Sequence, residues 1–394
     1  MADLRIYADN VEVEALEQIN TLVAQPAFAN CKVRIMPDVH AGAGCVIGFT
    51  ANLGDKVIPN IVGVDIGCGM RVVELGQIEI DFAKLDEVIR AYVPSGMNVH
   101  SIATYPSKAL KRLYCYEGLK NTEHLRKSLG TLGGGNHFIE IDEDTRGGKY
   151  LIIHTGSRNL GKQVAGYYQN LAVQHSQGLD RLPQLKEELI SSLKAQSRER
   201  EIESALAQLK VEVHDNVPNQ LAYLEGEDRE NYLHDMQICQ EFAVQNRKTI
   251  AFVICEHMNW VPKNTFETIH NYIELATNLV RKGAISAKYG EKVLIPMNMR
   301  DGCIIGIGKG NDDWNCSAPH GAGRLMSRSK AKDSISLEAF QKSMEGIYTT
   351  SVNRNTIDES PMAYKPVEEI LRYVEDTIDI VEIIKPIYNF KADN

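Results

Sequence analysis

Eleven histidines are spread along the 394 residues, and five of them sit in one kind of local setting. His40 stands in DVHAGAG, His137 in GGGNHF, His154 in IIHTGS, His270 in IHNY and His320 in PHGAGR. Each adjoins Gly, Asn or Thr at an apparent strand end or turn, where small neighbours let a ligand approach the main chain. A second element is GVDIGCGM, in which Asp65 and Cys68 are three residues apart. A straight strand would put that pair on opposite faces, but Gly67 and Gly69 permit a turn that brings carboxylate and thiolate together. Asp, Cys and neutral His are a coherent ligand set for a divalent transition metal, and ligand chemistry alone makes zinc the first choice. The plain alternatives are a turn carboxylate, a buried small thiol and turn or core histidines. Repetition of the same setting five times is what argues for a shared site.

Two further patterns compete with this one. Gly156–Lys162 reads GSRNLGK, matching G-x-x-x-x-G-K, after an apparent strand (YLIIHT) and before a possible helix (QVAGYYQNLAV). A phosphate loop would use backbone N–H groups and the lysine to cradle phosphates. Position 163 is Gln where a Mg²⁺-binding Ser or Thr belongs, and no suitable carboxylate follows an apolar strand, so the match reads as chance. Ser327-x-x-Lys330 fits S-x-x-K without its partner motifs and reads the same way. In the C-terminal half, SAPHGAGRLMSRSKAK sets His320 before Gly-Ala-Gly, a loop type whose amides can face an anion. Arg324, Arg328, Lys330 and Lys332 follow as a basic cluster, with a solvated helix face as the alternative for the two lysines. A histidine beside such a loop can serve as general acid–base or as a nucleophile on phosphorus, and both readings stay open.

The elements that must position these residues are punctuated by glycine. Gly-rich turns at 42–48, 63–69, 130–135, 156–161, 302–310 and 321–323 each border a short apolar run. CVIGFTANL, KYLIIHTG and KVLIPMN are rich in β-branched residues and read as buried strands. From about 176 the texture changes, and LPQLKEELISSLKAQSREREIESALAQLK combines apolar residues at helical spacing with many charges. Thr268–Lys282 (TIHNYIELATNLVRK) is a further predicted helix. The expected fold class is mixed α/β (α+β): a compact β-sheet core with surrounding helices. Residues 1–394 are expected to form one catalytic domain, with a mainly helical excursion at about 176–236 packed on it as a lobe.

Composition bounds what such a protein can be. Hydrophobic residues at 43% and charged residues at 24% exclude collagen-like, disordered and coiled-coil classes. No run approaches the roughly 18 apolar residues of a membrane span, and MADLRIYADNVEVEALEQ is too acidic to read as a secretory signal. The eight cysteines are scattered without a CxxC, which points to free thiols in a reducing cytoplasm. A net charge of −9 argues against coating nucleic acid by bulk charge, while leaving room for a local basic site.

MPDVHAGAGCVIGFT, PNIVGVDIGCGM, LGGGNHFIEI, HTGSRNLG, IHNY, RKGAISA, SAPHGAGRLMSR and DESPMAYKPVEEI together resemble the RtcB family of GTP-dependent RNA ligases. The resemblance runs from about residue 31 to the C-terminus with the motifs in order. It implies the RtcB-type fold, with the site in a cleft lined by strand ends and loops. It also implies an enzyme joining RNA 3′-phosphate or 2′,3′-cyclic phosphate ends to 5′-hydroxyl ends with GTP and two Mn²⁺ per active site, in place of zinc. The family's metal ligands fall on Asp65, Cys68, His137, His154 and His270, with Cys68 bridging a metal held by Asp65 and His137 to one held by His154 and His270. Its nucleophile falls on His320, which would carry GMP before passing it to the RNA 3′ end as RNA(3′)pp(5′)G. Guanylate-binding positions fall on Asn136, His137, Phe138, Ile139 and Glu140, then on His270 and Asn271. Further ones fall on Pro296, Met297, Asn298, Met299 and Cys303, on His320, Gly321, Ala322 and Gly323, and on Lys391, which three residues follow.

One departure stands out. Many members of the family carry P-G-S-M and then a serine where this chain has Pro296-Met297-Asn298-Met299 and Cys303. The change bears on the guanine-side contacts and opens an alternative, a metal-dependent RNA 2′,3′-cyclic phosphodiesterase or end-processing protein without efficient ligation. His40 lies in a family-like motif and is expected to support the ligands from behind or to touch RNA. The implied partners are RNA ends and an archease-type activator, with no membrane.

Overall fold

Short β-branched runs become strands, and the strands assort into two main sheets in a computed structural model that describes residues 2–179, 181–209 and 217–392. The smaller sheet runs in the order Asp3–Ile6, Lys32–His40, Ile47–Asn52, Leu279–Lys282, Asn271–Glu274. The larger one runs Lys292–Asn298, Gly302–Gly308, Ile378–Lys391, Phe138–Glu143, Lys149–Thr155, Gly69–Gly76, Asn264–Ile269, with Tyr348–Thr349 paired alongside Ile378–Lys391. Successive strands of that path are antiparallel, and its two outer strands lie against each other, so the sheet curls almost to closure. A two-stranded ribbon of Ala284–Ser286 and Ser317–Pro319 completes the set.

Side-chain alternation divides the larger sheet into two apolar faces. Val73, Ile139, Ile141, Leu151 and Ile153 pack on one side with Ile250 and Ile254 of the helix Gly226–Met258. Met70, Val72, Phe138 and Ile152 point to the other side, where Leu294, Ile305 and Ile384 meet them inside the curl. Burial of each such aliphatic side chain stabilises the fold by about 1.5–3 kcal/mol. With both faces covered, these strands are near-continuously apolar, which is why they are legible in the sequence. The helix Gly226–Met258 buries a stripe of Tyr232, Met236, Cys239, Ala243, Asn246, Ile250, Ile254 and Met258, at the three-to-four spacing of one face, and ends on Asn259 in the left-handed region.

The helix predicted over Thr268–Lys282 does not form. The segment makes the end of strand Asn264–Ile269, then Asn271–Glu274 and Leu279–Lys282, which pair with each other so that Ile273 faces Val280, both buried. Strand Leu279–Lys282 also pairs with Ile47–Asn52, over two hundred residues away in the chain. That long-range ladder overrides a local periodicity that fits a helix almost as well. In the region from 176, helices Leu182–Ala195 and Ile202–Gln208 form as the charged amphipathic pattern predicts, with residues 180 and 210–216 outside those described. From Gly226 onward the chain belongs to the long helix that supports the larger sheet.

Candidate functional site

Four neighbouring strands of the larger sheet begin or end at one rim. The register pairs Phe138 with His154, Met70 with His154, Gly69 with Thr155 and Gly69 with Ile269. His137, His154, Cys68 and His270 are therefore brought to the same edge by strand pairing alone, although up to two hundred residues separate them. The turn before Cys68 closes with Cys68 N–H donating to Asp65 O at 3.2 Å, and Gly67 within it holds φ +72°. A Cβ on Gly67 would lie 2.9 Å from the Gln240 backbone, so both conformation and contact require glycine there.

The side chains at this rim converge. Cys68 Sγ lies 3.2 Å from His154 Nε2 and 3.5 Å from His137 Nε2, and His137 Nε2 lies 2.9 Å from Asp65 Oδ2. Asp65, Cys68 and His137 form one group, and Cys68, His154 and His270 another, with the donor atoms of each group within 4.8 Å of one another. Backbone carbonyls orient two of the rings, since Leu132 O faces His137 Nδ1 at 2.9 Å and Asn136 O faces His154 Nδ1 at 3.2 Å. Burial and neighbouring imidazoles push His154 and His270 well below the usual imidazole range, so both stay neutral. Burial, and then the Asp65 carboxylate, push the Cys68 thiol well above its usual value. Asp65 Oδ1 and His270 Nδ1 are buried without a hydrogen-bond partner. A set with spare lone pairs and a thiol that ionises only beside a positive charge fits divalent cations.

His320 follows the short strand Ser317–Pro319 and faces this group, its ring centroid 4.9 Å from that of His270. Its Nδ1 lies 2.5 Å from Asp38 Oδ2, and the same oxygen accepts the His320 backbone N–H at 3.1 Å. Asp38 is wholly buried near the end of strand Lys32–His40. Gly323, at φ +73°, passes so close to this strand that a Cβ would sit 2.3 Å from Asp38 O. Asp38 was missed by the sequence reading, which took His40 from the same DVHAGAG motif. His40 Nδ1 lies 2.9 Å from Asp38 O on the cavity wall, and its enclosure pulls its pKa down to about 4.

A cavity of about 730 Å³ opens against His154 and His320. Of the residues carried over as guanylate contacts, Asn136, Phe138, Glu140, Pro296, Met297, Asn298, Met299, His320, Gly321, Ala322, Gly323 and Lys391 line it. The remaining ones do not. Ile139 and Cys303 are wholly buried in apolar clusters, and His137 and His270 lie with the thiol. Asn271 spends its amide on the backbone, donating to Asp65 O at 3.2 Å and accepting from Gly283 N–H at 3.0 Å. Three of the basic cluster are already paired: Arg324 and Arg328 bond Glu359, as Lys391 also does, and Arg328 and Lys332 reach Asp358. Burial alone would raise Glu359, but Lys391, Arg328 and Arg324 override it and hold it at about 2.

Other motifs resolve into structure. The GSRNLGK segment is a strand–turn–helix, yet the Asp65 carboxylate fills the turn, so that a Cβ on Gly156 would lie 2.1 Å from Oδ1. Ser327 Oγ accepts the Lys330 N–H and caps helix Arg328–Ser334, which accounts for S-x-x-K. Asn246 and Arg247 on the long helix carry no signal in the sequence. Arg247 Nη1 donates to Gly67 O at 2.8 Å and Thr155 O at 2.9 Å, while Asn246 Oδ1 accepts from Gly130 and Thr131 N–H.

Fold and site together define a mixed α/β protein with a thiol–imidazole–carboxylate cluster at strand ends, beside a carboxylate-held histidine on a nucleotide-sized cavity. The family described as tRNA-splicing ligase RtcB matches residues 18–119 and 115–392, and the chain belongs to the RtcB family. It is 30% identical to RNA-splicing ligase RtcB of Escherichia coli K12, over 99% of this chain and 98% of that protein. It is 27% identical to tRNA-splicing ligase RtcB of Aeropyrum pernix, over 93% and 89% of the two chains. Among the described residues no helix is long and apolar enough to cross a membrane.

Proposed function

We propose that the chain is a Mn²⁺- and GTP-dependent RNA ligase that joins 3′-phosphate or 2′,3′-cyclic phosphate ends to 5′-hydroxyl ends. The observation that carries this reading is His320, held by Asp38 on the wall of the cavity and in ring contact with the thiol–imidazole–carboxylate cluster. Asp65, Cys68 and His137 would hold one cation, and Cys68, His154 and His270 the other. Mn²⁺ ranks low in affinity for such ligands, so supply and geometry must select it. When bound, the cations would neutralise charge on the phosphate oxygens.

Asp38 accepts the Nδ1–H of His320, which leaves the lone pair on Nε2 and fixes the ring. Nε2 attacks the α-phosphorus of GTP, an N–P bond forms, and the bond to the β-phosphate oxygen breaks as pyrophosphate leaves with its electron pair. GMP then passes to an oxygen of the RNA 3′-phosphate, restoring His320. Attack by the 5′-hydroxyl on the RNA phosphorus makes the new phosphodiester and expels GMP. Also lining the cavity, the Glu140 carboxylate accepts from Asn389 Nδ2 at 2.5 Å, and Lys391 lies over the Phe138 ring. An acceptor carboxylate suits the N–H donors on the Watson–Crick edge of guanine.

Incubation with radiolabelled GTP and Mn²⁺ is expected to label the protein, and His320→Ala to abolish the label. A cyclic-phosphate/5′-hydroxyl RNA pair is expected to be joined with GTP and not with ATP. An unlabelled wild type would end the nucleotidyl-transfer reading. Cyclic-phosphate opening that persists in His320→Ala without joined product would favour a phosphodiesterase. Adding an archease-type activator tests whether turnover, beyond labelling, needs a partner. Free thiols throughout support action in the cytoplasm.

A further inference from the structure

Asp38 orients two imidazoles, and the proposed reaction uses one of them. Its carboxylate takes Nδ1 of His320, while its backbone oxygen faces Nδ1 of His40 at 2.9 Å. A carbonyl oxygen only accepts, so this contact puts the His40 proton on Nδ1 and the lone pair on Nε2. Among the described residues Nε2 bonds no protein group, and it is not sealed in either, because His40 stands on the wall of the cavity.

The chain around His40 is pinned. His40 closes strand Lys32–His40 opposite Ile47, and the loop after it is tied to helix Val13–Val23 and its cap. Glu12 Oε1 accepts the Ala41 N–H at 2.6 Å, and Gln18 exchanges two bonds with the backbone of Gly42, at 3.0 and 3.2 Å. A fixed ring that presents an unused lone pair is a prepared acceptor. Enclosure, with His320 and Arg324 acting in the same direction, outweighs the carbonyl and carboxylate of Asp38 and holds the ring at about 4. It therefore stays a neutral acceptor at working pH.

The surroundings define what it accepts from. Glu12 and Glu14 stand on the same wall and disfavour an anion. Arg324, the cation nearest in effect, is spent on Glu359 and on Asp358 O at 2.6 Å. A neutral hydroxyl suits such a wall and a phosphate does not. Hydroxyls reach the cavity from two sources in the proposed reaction, the RNA 5′ end and the ribose of the nucleotide. The acidic wall would repel the nucleotide's own phosphates, whereas a bare 5′-hydroxyl meets no such cost. We propose that His40 is the acceptor that seats the 5′-hydroxyl end of the RNA, and that Glu12 and Glu14 beside it turn away a 5′-phosphate end. This inference rests on the ligase reading and assigns the choice of 5′ end to one wall of the cavity.

The test starts joining from RNA that already carries the 3′pp5′G end, with a 5′-hydroxyl strand as partner. His40→Ala should raise KM for that strand and slow joining roughly tenfold or more, while labelling by GTP falls far less. His40→Gln, whose amide oxygen can accept, should recover part of the loss. Glu12→Gln with Glu14→Gln should let a 5′-phosphate strand bind nearly as well as a 5′-hydroxyl strand, read by fluorescence anisotropy. Unchanged joining and KM in His40→Ala would overturn the proposal. An equal loss of labelling and joining would overturn it too, and loss of discrimination against 2′-deoxyGTP would then assign the acceptor to the nucleotide ribose. A wild type that neither labels nor joins ends the ligase reading, and anisotropy then decides alone. A preference for 5′-hydroxyl over 5′-phosphate strands that shrinks in His40→Ala keeps the seat, and equal binding of both by the wild type discards it.

Discussion

The contact between Asp38 and His320 is where a single residue has the clearest consequence. Asp38 meets His320 at its backbone N–H and Nδ1, so in the proposed reaction it would act through the ring it holds, as a positioning residue. Asp38→Asn keeps the size of the side chain but allows the amide N–H₂ to face Nδ1, which favours the wrong tautomer. Labelling by GTP should slow roughly 10²–10⁴-fold, while Mn²⁺ binding, measured by calorimetry, stays near wild type. Loss of Mn²⁺ binding as well would mean that Asp38 holds the fold instead. Cys68 carries a second prediction at this scale. Its thiol is pushed well above its usual value, so at neutral pH a cation must displace the proton as it binds. Metal affinity should rise with pH, and calorimetry in two buffers of different ionisation enthalpy should report proton release. An identical heat in both buffers would contradict this.

At the scale of elements, the long helix holds the strand ends together. Arg247 is wholly buried and bonds the carbonyls of Gly67 and Thr155 and the Glu267 carboxylate. Arg247→Met should cost about 3–5 kcal/mol, because it strands acceptors that water cannot reach. Urea denaturation measures it, and a loss under about 1 kcal/mol would show that the helix is redundant to the turn. Glu359 is the other clamp, joining Arg324, Arg328 and the end of strand Ile378–Lys391 through Lys391. Its folded pKa, about 2, lies below the ordinary 4.5. The resulting stability, about 3 kcal/mol, is fully present above pH 4.5 and is lost as pH falls towards 2. Glu359→Gln should therefore flatten the acid limb of the stability–pH curve between those values. An unchanged acid limb would remove Glu359 from that role. The sequence could not reveal either clamp, because Arg247 reads as one more charge on a helix and Glu359 as one more acid in a loop.

At the scale of the whole molecule, net charge and local charge point in different directions. The chain carries −9, and the cations near the cavity are largely matched by Asp358 and Glu359. Bulk attraction to RNA is therefore weak, and in the proposed reaction phosphate affinity would concentrate at cations held by the strand-end cluster. Binding to internal RNA should be weak and strongly salt-dependent, and RNA with free ends should bind better. Tight binding of a circular RNA at moderate salt, read by filter retention, would contradict that.

The apolar runs and the glycine punctuation by themselves determined strands such as Ile47–Asn52, Lys149–Thr155 and Lys292–Asn298, because strands buried on both faces are near-continuously hydrophobic and turns at positive φ favour glycine. The five histidines, Asp65 and Cys68 were likewise legible, since their residue types in Gly-rich settings are chemical information that needs no coordinates. Only the tertiary structure decided that Thr268–Lys282 is strand, because a ladder to residues 47–52 has no local signature. It also decided which donors meet. Antiparallel register sets Phe138, His154, Gly69 and Ile269 side by side, and no spacing along the chain encodes that alignment. Asp38 behind His320 belongs to the same class of fact. Its chemistry comes from burial and from a partner hundreds of residues away.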